Sequence, residues 1–502
     1  MTDRATLLAT SAVELRRRIG AKEISPIELL EACIERIEAV NPAVNAITAT
    51  CFERARNEAR AAERDVLAGR ELGPLHGLPI GIKDLDDTEG LLTTHGSPLY
   101  RDHVPDRDHV LVQRLRRAGA IVTAKTNVPE FGAGANTRNV VWGATGNPFD
   151  PLLNAGGSSG GSAAALACDM LPLCSGSDTG GSLRIPAAIC GVVGFRPSPG
   201  LVPSERRLLG WTPISVVGPM GRTIADVALQ LAATAGRDVG DALSYDVDAA
   251  AFATPPRVDL SRLRVAWTVD FGVCAVDRAI AETFRGKIAA MRHLFRTCDE
   301  VAFDFGEAHR CFDVIRSESF VAQHRDAYAK DPTSLGPNVR ANYELGAALT
   351  LADCASAHLE QTRIFQRFQT VFQGYDLVLS PTTPISAFPW TELYLKEVNG
   401  EPLENYYRWL ALTYVVTLVT NPALSLPCGT DHRGMPFGLQ VIGRFRGDRD
   451  LLGAGAALED AFARIPALQR PRPDLDRLRK PVPALKSIVT HPPTEATTRP
   501  AV

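Results

Sequence analysis

Residues 154–200 constrain this chain more than any other stretch. Two Gly-Ser-rich turns, Gly156-Gly157-Ser158-Ser159-Gly160-Gly161-Ser162 and Gly176-Ser177-Asp178-Thr179-Gly180-Gly181-Ser182-Leu183-Arg184, flank a helix of small side chains, Ser162–Cys168. Small residues let main chain pack closely on main chain. The segments around them alternate in period. Residues 24–41 read as a helix with Ser25 as N-cap, Pro26 at N1 and Glu28 closing a capping box, ended by Asn41-Pro42. Ile27, Leu30, Ile34 and Ile37 form its apolar stripe. Residues 51–69 form a second, Ala- and Arg-rich helix. Leu78–Asp84 is a short buried strand that ends in a charge, Leu111–Ala118 a helix, and Ala120–Ala124 a strand.

This alternation predicts an α/β fold. A central mixed, largely parallel sheet is expected, covered by helices on both faces of one large domain over residues 1–470. Residues 224–236 and 276–296 are expected to be helical. Residues 306–374 read as a mostly helical subregion lying over the sheet. Leu377–Leu379, Ala423–Leu426 and Phe437–Ile442 are expected strands. Residues 471–502 turn Pro- and Thr-rich and are expected to be disordered.

Composition excludes several classes of function. With 45% apolar and 22% charged residues over 502 positions, the chain can bury a large core without disulfides or metals. A net charge of −3 offers no broad basic face for nucleic acid. The best apolar run, Tyr414–Val419, is short and broken by Thr417, so no transmembrane helix is expected. The N-terminus lacks the pattern of a signal peptide. Ten scattered cysteines without a C-x-x-C pair read as buried free thiols in a reducing, cytoplasmic setting.

The second glycine turn can aim successive N–H groups at one point, as an oxyanion requires. Ser182 directly after it would present its hydroxyl there. A serine hydroxyl needs a base. No histidine stands near either turn in sequence, whereas Lys83 ends an apolar strand, where desolvation lowers an amine's pKa. Ser158 could relay the proton. Taken singly, each turn also reads as an ordinary loop, and Lys83 as a solvated charge. A rival assignment makes Ser159 the nucleophile of a G-x-S-x-G elbow at Gly157–Gly161, but the partner motif H-G-G-G is absent. No Lys follows either glycine run as a P-loop needs. Asp102-His103 and Asp108-His109 lack the helical spacing of metal ligands, and no metal site is expected there.

With these residues in place, the chain from about residue 5 to 470 resembles the amidase signature family. The motifs are Gly77–Asp84 with its lysine, Lys125–Gly132, Gly156–Ala165, Gly176–Gly194, Gly218-Pro219-Met220 and Gly438–Gly443. The resemblance implies a triad of Ser182 as acylated nucleophile, Ser158 as bridging serine before a cis peptide bond, and Lys83 as base. It implies an oxyanion hole from the N–H groups of Thr179, Gly180, Gly181 and Ser182. Asp178 and Arg184 match bracing residues, and Ser159 a second serine. The implied activity is amide hydrolysis through an acyl-enzyme, without cofactor, on a small-molecule amide, by a monomer or homodimer with no nucleic-acid or membrane partner.

Within the family, one alternative is the A-type component of the tRNA-dependent amidotransferase. Another is a catalytically silent binding subunit. The A-type component carries Gln where this chain has Ile185, and a Tyr-Gly-Arg-Val-Ser segment where this chain reads Pro199–Ser204. Both departures favour a stand-alone amidase. Leu208, Leu209, Trp211 and Ile214, with Ile185, are expected to wall an apolar acyl pocket suited to aryl or alkyl amides, anilides or carbamates. No arginine outside the serine loop is apparent to hold a substrate carboxylate.

Overall fold

The computed structural model describes residues 4–494. Among them eleven strands form one sheet: β1 (Ile47–Thr50), β2 (Pro79–Lys83), β3 (Ile121–Thr126), β4 (Leu173–Asp178), β5 (Val193–Arg196), β6 (Val216–Gly221), β7 (Arg264–Trp267), β8 (Thr297–Glu300), β9 (Leu377–Pro381), β10 (Ala423–Thr430) and β11 (Pro436–Ile442). Their order across the sheet is β1-β3-β2-β4-β6-β5-β10-β11-β9-β7-β8. The sheet is mixed, as the alternation implies, but parallel pairing does not dominate. The four parallel ladders lie toward the two flanks, and six antiparallel ladders fill the centre and one edge. The short turn between β10 and β11 permits only antiparallel pairing there.

The helices follow their patterns with two corrections. The helix Pro26–Val44 runs through Pro42 and ends at Asn45, which adopts the left-handed conformation at φ 49°. Proline removes one N–H donor, so the last turn lacks the bond that residue 42 would make to residue 38. Ser25 caps through the N–H of Ile27 and donates to Glu63, so the box with Glu28 is not formed. Helices Ala308–Lys330, Pro337–Ala347 and Leu351–Gln369 occupy the stretch expected to be helical. The first and third share a hydrophobic cluster with residues 406–419, built around Phe312, Ile364, Phe368 and Tyr414, whereas Val339 of the second packs with Ala133 and Leu335.

The tail departs from its expectation. Residues 471–494 pack on the domain: Leu478 and Leu485 are buried, and Val482 N–H donates to Pro42 O at 3.0 Å. Two leucines spaced between prolines anchor a segment whose composition alone reads as disordered. The rest of that tail lies outside the described residues.

Topology gathers chemistry at one end of the sheet's strands. β2 and β4 pair in parallel, so Lys83 and the pair Ser177-Asp178 emerge at the same end. The crossover from β3 to β4 runs through the small-residue helix, Gly160–Ala167, whose N-terminus returns to that end and brings Ser158 with it. The helix seats directly on β3's exit. A Cβ at Gly161 would lie 2.2 Å from Asn127 N and 2.7 Å from Ala46 O, both main-chain atoms. Gly161→Ala is therefore expected to lower unfolding free energy by about 3 kcal/mol, the upper range for overpacking. Guanidinium unfolding monitored by circular dichroism checks it; an unchanged midpoint would refute the close-approach argument.

Candidate active site

Lys83 is fully buried at the end of β2. Its Nζ donates to Ser158 Oγ at 2.8 Å and to Ser177 Oγ at 2.9 Å. Burial pushes the amine down to about 7, against the opposing pull of the Asp86 and Asp178 carboxylates. No carboxylate is hydrogen-bonded to Nζ among the described residues, so desolvation prevails. Lys125 on neighbouring β3 makes a useful contrast. It is equally buried and donates to Asp86 O and Thr88 Oγ1, which closes the turn after β2. The peptide Gly157–Ser158 is cis, so Ser158 follows the cis bond instead of preceding it as expected.

Ser177 is a residue of the candidate site that reading the sequence missed: it bonds to Lys83 and lines the cleft. The signal was present. Ser175 and Ser177 stand two apart on β4 and so share a face. Ser175 Oγ accepts the N–H of Lys83, and Ser177 Oγ takes its ammonium. Two serines on one face of a strand beside a buried lysine form a polar lining for it.

The turn after β4 is braced by one carboxylate. Asp178 Oδ1 accepts from Gly181 N–H at 2.9 Å and Oδ2 from Leu183 N–H at 3.2 Å. Arg184 meets the same carboxylate twice, at 2.9 and 3.0 Å, and Arg196 once, at 3.1 Å. Burial works to raise the Asp178 pKa, and the two guanidiniums overcome it and hold the carboxyl far below its usual range. Arg184 also reaches Thr413 O, Thr417 Oγ1 and Gln440 Oε1. From the other side Thr413 Oγ1 donates to Gly180 O at 2.6 Å. Gly181 stands at φ 123°, and a Cβ there would lie 2.2 Å from Thr413 Oγ1, so both conformation and space demand glycine.

These contacts sort the expected residues. Asp178 and Arg184 brace the turn, as the resemblance implies. Gly181 needs a correction: its N–H is given to Asp178, so it serves the brace instead of the oxyanion hole. Ser182 and Thr179 are partly exposed, whereas Gly180 is buried. Ser159 is fully buried, its N–H donating to Ser182 O and its Oγ lying 3.5 Å from Ser177 N and O. That burial removes it as an exposed elbow nucleophile.

An open cleft of about 830 Å³ reaches Ser177 and is walled by Leu85, Phe131, Leu208 and Leu209 among its apolar residues. Asp87, His95, His103, Glu205, Arg206 and Arg207 line its mouth. Leu208 and Leu209 are thus at the cleft, although Leu208 is 68% exposed. Trp211 is 79% exposed and does not line it, and Ile185 and Ile214 are buried behind it. An apolar run in sequence does not distinguish a pocket wall from exposed surface, and Trp211 lies on exposed surface outside the cleft lining. Of the two Asp-His pairs, Asp108-His109 caps the helix Val110–Arg117 and its approach, with His109 Nδ1 accepting from Leu111 N–H.

The sheet, the small-residue helix and the braced serine turn define a known class. The family model described as Amidase matches residues 28–452, and the chain belongs to that family. It is 34% identical to an acylamidase of Rhodococcus erythropolis over 455 residues, covering 89% of this chain and 94% of that protein. It is 35% identical to the A-type component of the glutamyl-tRNA(Gln) amidotransferase of Acidothermus cellulolyticus over 485 residues, covering 91% and 95%. Among solved structures it superposes on a bacterial aryl acylamidase of the amidase signature family with a TM-score of 0.83 at 28% identity, covering 91% and 98%. No helix among the described residues is long and apolar enough to cross a membrane.

Asp178→Asn leaves Arg184 and Arg196 buried without their counter-charge. It is expected to cost about 3–5 kcal/mol of stability, as losing one partner of a buried ion pair does. Thermal unfolding checks it, and a shift no larger than that of a surface Asp→Asn control would show the carboxylate's charge to be dispensable.

Proposed function

We propose that this chain hydrolyses carboxylic amides through a relay of Lys83, Ser158 and Ser182, acting alone on small aryl or alkyl amides, anilides or carbamates. One observation carries the reading. A buried amine with a pKa near neutrality lies 2.8 Å from the hydroxyl of Ser158, beside the turn that bears Ser182.

Neutral Lys83 Nζ offers its lone pair to the Ser158 hydroxyl proton. Ser158 Oγ takes the proton of Ser182, and Ser182 Oγ attacks the amide carbon. The carbonyl electron pair moves to oxygen, where the N–H groups of Thr179, Gly180 and Ser182 receive it. The lysine, now an ammonium, returns its proton through Ser158 to the amide nitrogen. The C–N bond breaks and a neutral amine leaves, since an amide anion would not. Water then attacks the acyl-enzyme by the same relay in reverse, releasing the acid and restoring Ser182. Leu85, Phe131 and Leu209 give the cleft the apolar surface that an aryl or alkyl acyl group would bury.

A second reading, work as the A-type component of an amidotransferase, is favoured by the 35% identity to such a protein. The assay that separates the two is amine release from a simple anilide and a primary aliphatic amide by the isolated chain. Turnover without partner proteins is expected. Ser182→Ala and Lys83→Ala are each expected to lower kcat/KM by about 1,000-fold or more while circular dichroism stays native. Silence of the wild type toward both amides would turn the assignment toward the amidotransferase reading.

The pH profile follows from the lysine. An amine whose pKa is lowered to about 7 is charged, and inactive as a base, below that pH. The logarithm of kcat/KM should rise with unit slope to about pH 7 and level off above it. Ser177 accepts a hydrogen bond from Nζ and so favours the ammonium. Ser177→Ala should move this limb to lower pH, and a limb moved upward would contradict the role given to Ser177.

A further inference from the structure

Two imidazoles and a carboxylate converge on the wall of the same cleft, apart from the serines. His95 Nε2 lies 3.4 Å from Asp87 Oδ1, and His103 Nε2 lies 3.9 Å from the same oxygen. The three ligand atoms all fall within 4.8 Å of one another. Asp87 is buried, with a side chain only 8% exposed. Its Oδ1 accepts no hydrogen bond, whereas Oδ2 is paired with the Arg206 guanidinium. A buried carboxylate oxygen left without a partner is unfavourable. Here it faces two ring nitrogens at separations suited to sharing an ion. Donors at ~2.0–2.1 Å from a tetrahedral zinc stand about 3.3 Å from one another.

The loop that carries both histidines is fixed before any ion arrives. Gly90 N–H donates to Pro105 O and Thr93 N–H to His103 O, each at 2.9 Å, closing the loop across its base. Asp84 holds its middle by accepting from the N–H and hydroxyl of Thr94, and Trp142 Nε1 donates to that hydroxyl oxygen. The Tyr100 ring meets both imidazoles edge to face, at 4.9 Å from His95 and 5.5 Å from His103. The ring planes are thus set by packing.

We propose that Asp87, His95 and His103 form a three-donor site for a divalent transition-metal ion of the zinc class, its remaining coordination positions open to the cleft. Two neutral imidazoles and one carboxylate oxygen suit zinc and its neighbours over calcium or magnesium, which take mostly oxygen ligands. The ion takes no part in the serine relay. It stands in the wall of the cleft that reaches Ser177, so it narrows the path for substrate and inhibits. Arg206 works against it, because its guanidinium already claims Asp87.

Binding is read without reference to catalysis. Protein stripped of metal by chelation is titrated with cobalt(II), and a visible d–d band saturating at one equivalent, then displaced by zinc, is expected. His103→Ala, at a half-exposed side chain where folding tolerates the change, should lose the band. Circular dichroism verifies the fold, and His103→Gln repeats the test with a bulkier group. Arg206→Gln should keep the band and tighten cobalt binding several-fold. A wild-type titration without a band, or a band of equal intensity in both His103 variants, overturns the site. The inhibitory role rests on the proposed amide hydrolysis and is checked separately: zinc should slow amine release by wild type and not by His103→Ala. A cobalt band without amine release would leave the site standing and overturn the proposed hydrolysis.

Discussion

The Asp178 carboxylate organises the structure's chemistry. It sits at the last residue of β4, buried, and takes hydrogen bonds from Gly181, Leu183, Arg184 and Arg196. Through Arg184 it reaches Thr413 and Thr417 on the helix Ala411–Leu418, and Gln440 on β11. A turn rich in glycine would otherwise be the most mobile part of the chain, since glycine loses the most conformational freedom on ordering. Tying both ends of the turn to one anion removes that freedom where Ser182 must be held. Two guanidiniums against one carboxylate leave an excess of positive charge in the interior. Burial lowers Arg196 to about 10, with Asp178 opposing the shift. Replacing such a pair with apolar side chains is often neutral for stability. Its use here is geometric: it sets where the turn sits relative to Lys83.

Lys83 obeys the opposite logic. Two carboxylates pull on it, and neither bonds to its Nζ. Asp178 is already engaged with two arginines, and Asp86 accepts from Ser175. Left with serine hydroxyls as partners, the amine is poised near neutrality. Lys125 shows that a buried lysine one strand away need not be a base. Burial lowers it as well, to about 8, but it is bonded to the carbonyl and hydroxyl that close the β2 exit, and no serine pair faces it.

Much of this was legible in sequence. Periodicity located the small-residue helix and the strands that end in Lys83 and Thr126, whereas Leu173–Asp178, whose end reads as a glycine turn, was not recognised as a strand. What stayed hidden depends on contacts distant in sequence. Gly181 reads as an oxyanion donor until Asp178 is seen to occupy its N–H. Trp211 reads as a pocket wall because hydrophobicity does not encode on which side of a loop a ring lies. Leu478 and Leu485 read as part of a disordered tail because their partners are distant in sequence, as Ala144 and Trp390 are for Leu485. His95 and His103 meet Asp87 only because hydrogen bonds at Gly90 and Thr93 fold their loop back on itself, so a search for helical ligand spacing passes them by.

The contrast between the interior and the rim bears on substrate. Lys83, Ser158, Ser177 and the serine turn are framed by buried main chain, with clearances so small that a single methyl group at Gly161 or Gly181 would collide with its surroundings. Such a frame changes little without collapse. The cleft mouth is built differently, from side chains of Asp87, His95, His103, Arg206 and Leu208 on connecting loops, which can vary while the frame stays intact. The chain is similarly identical to an acylamidase and to an amidotransferase component, over about nine-tenths of its length in each case. Proteins with different tasks can share the frame and differ at the rim. Specificity in this chain should therefore respond to substitutions between Asp87 and His103 or between Glu205 and Leu209, and the reaction itself to those at the ends of β2 and β4.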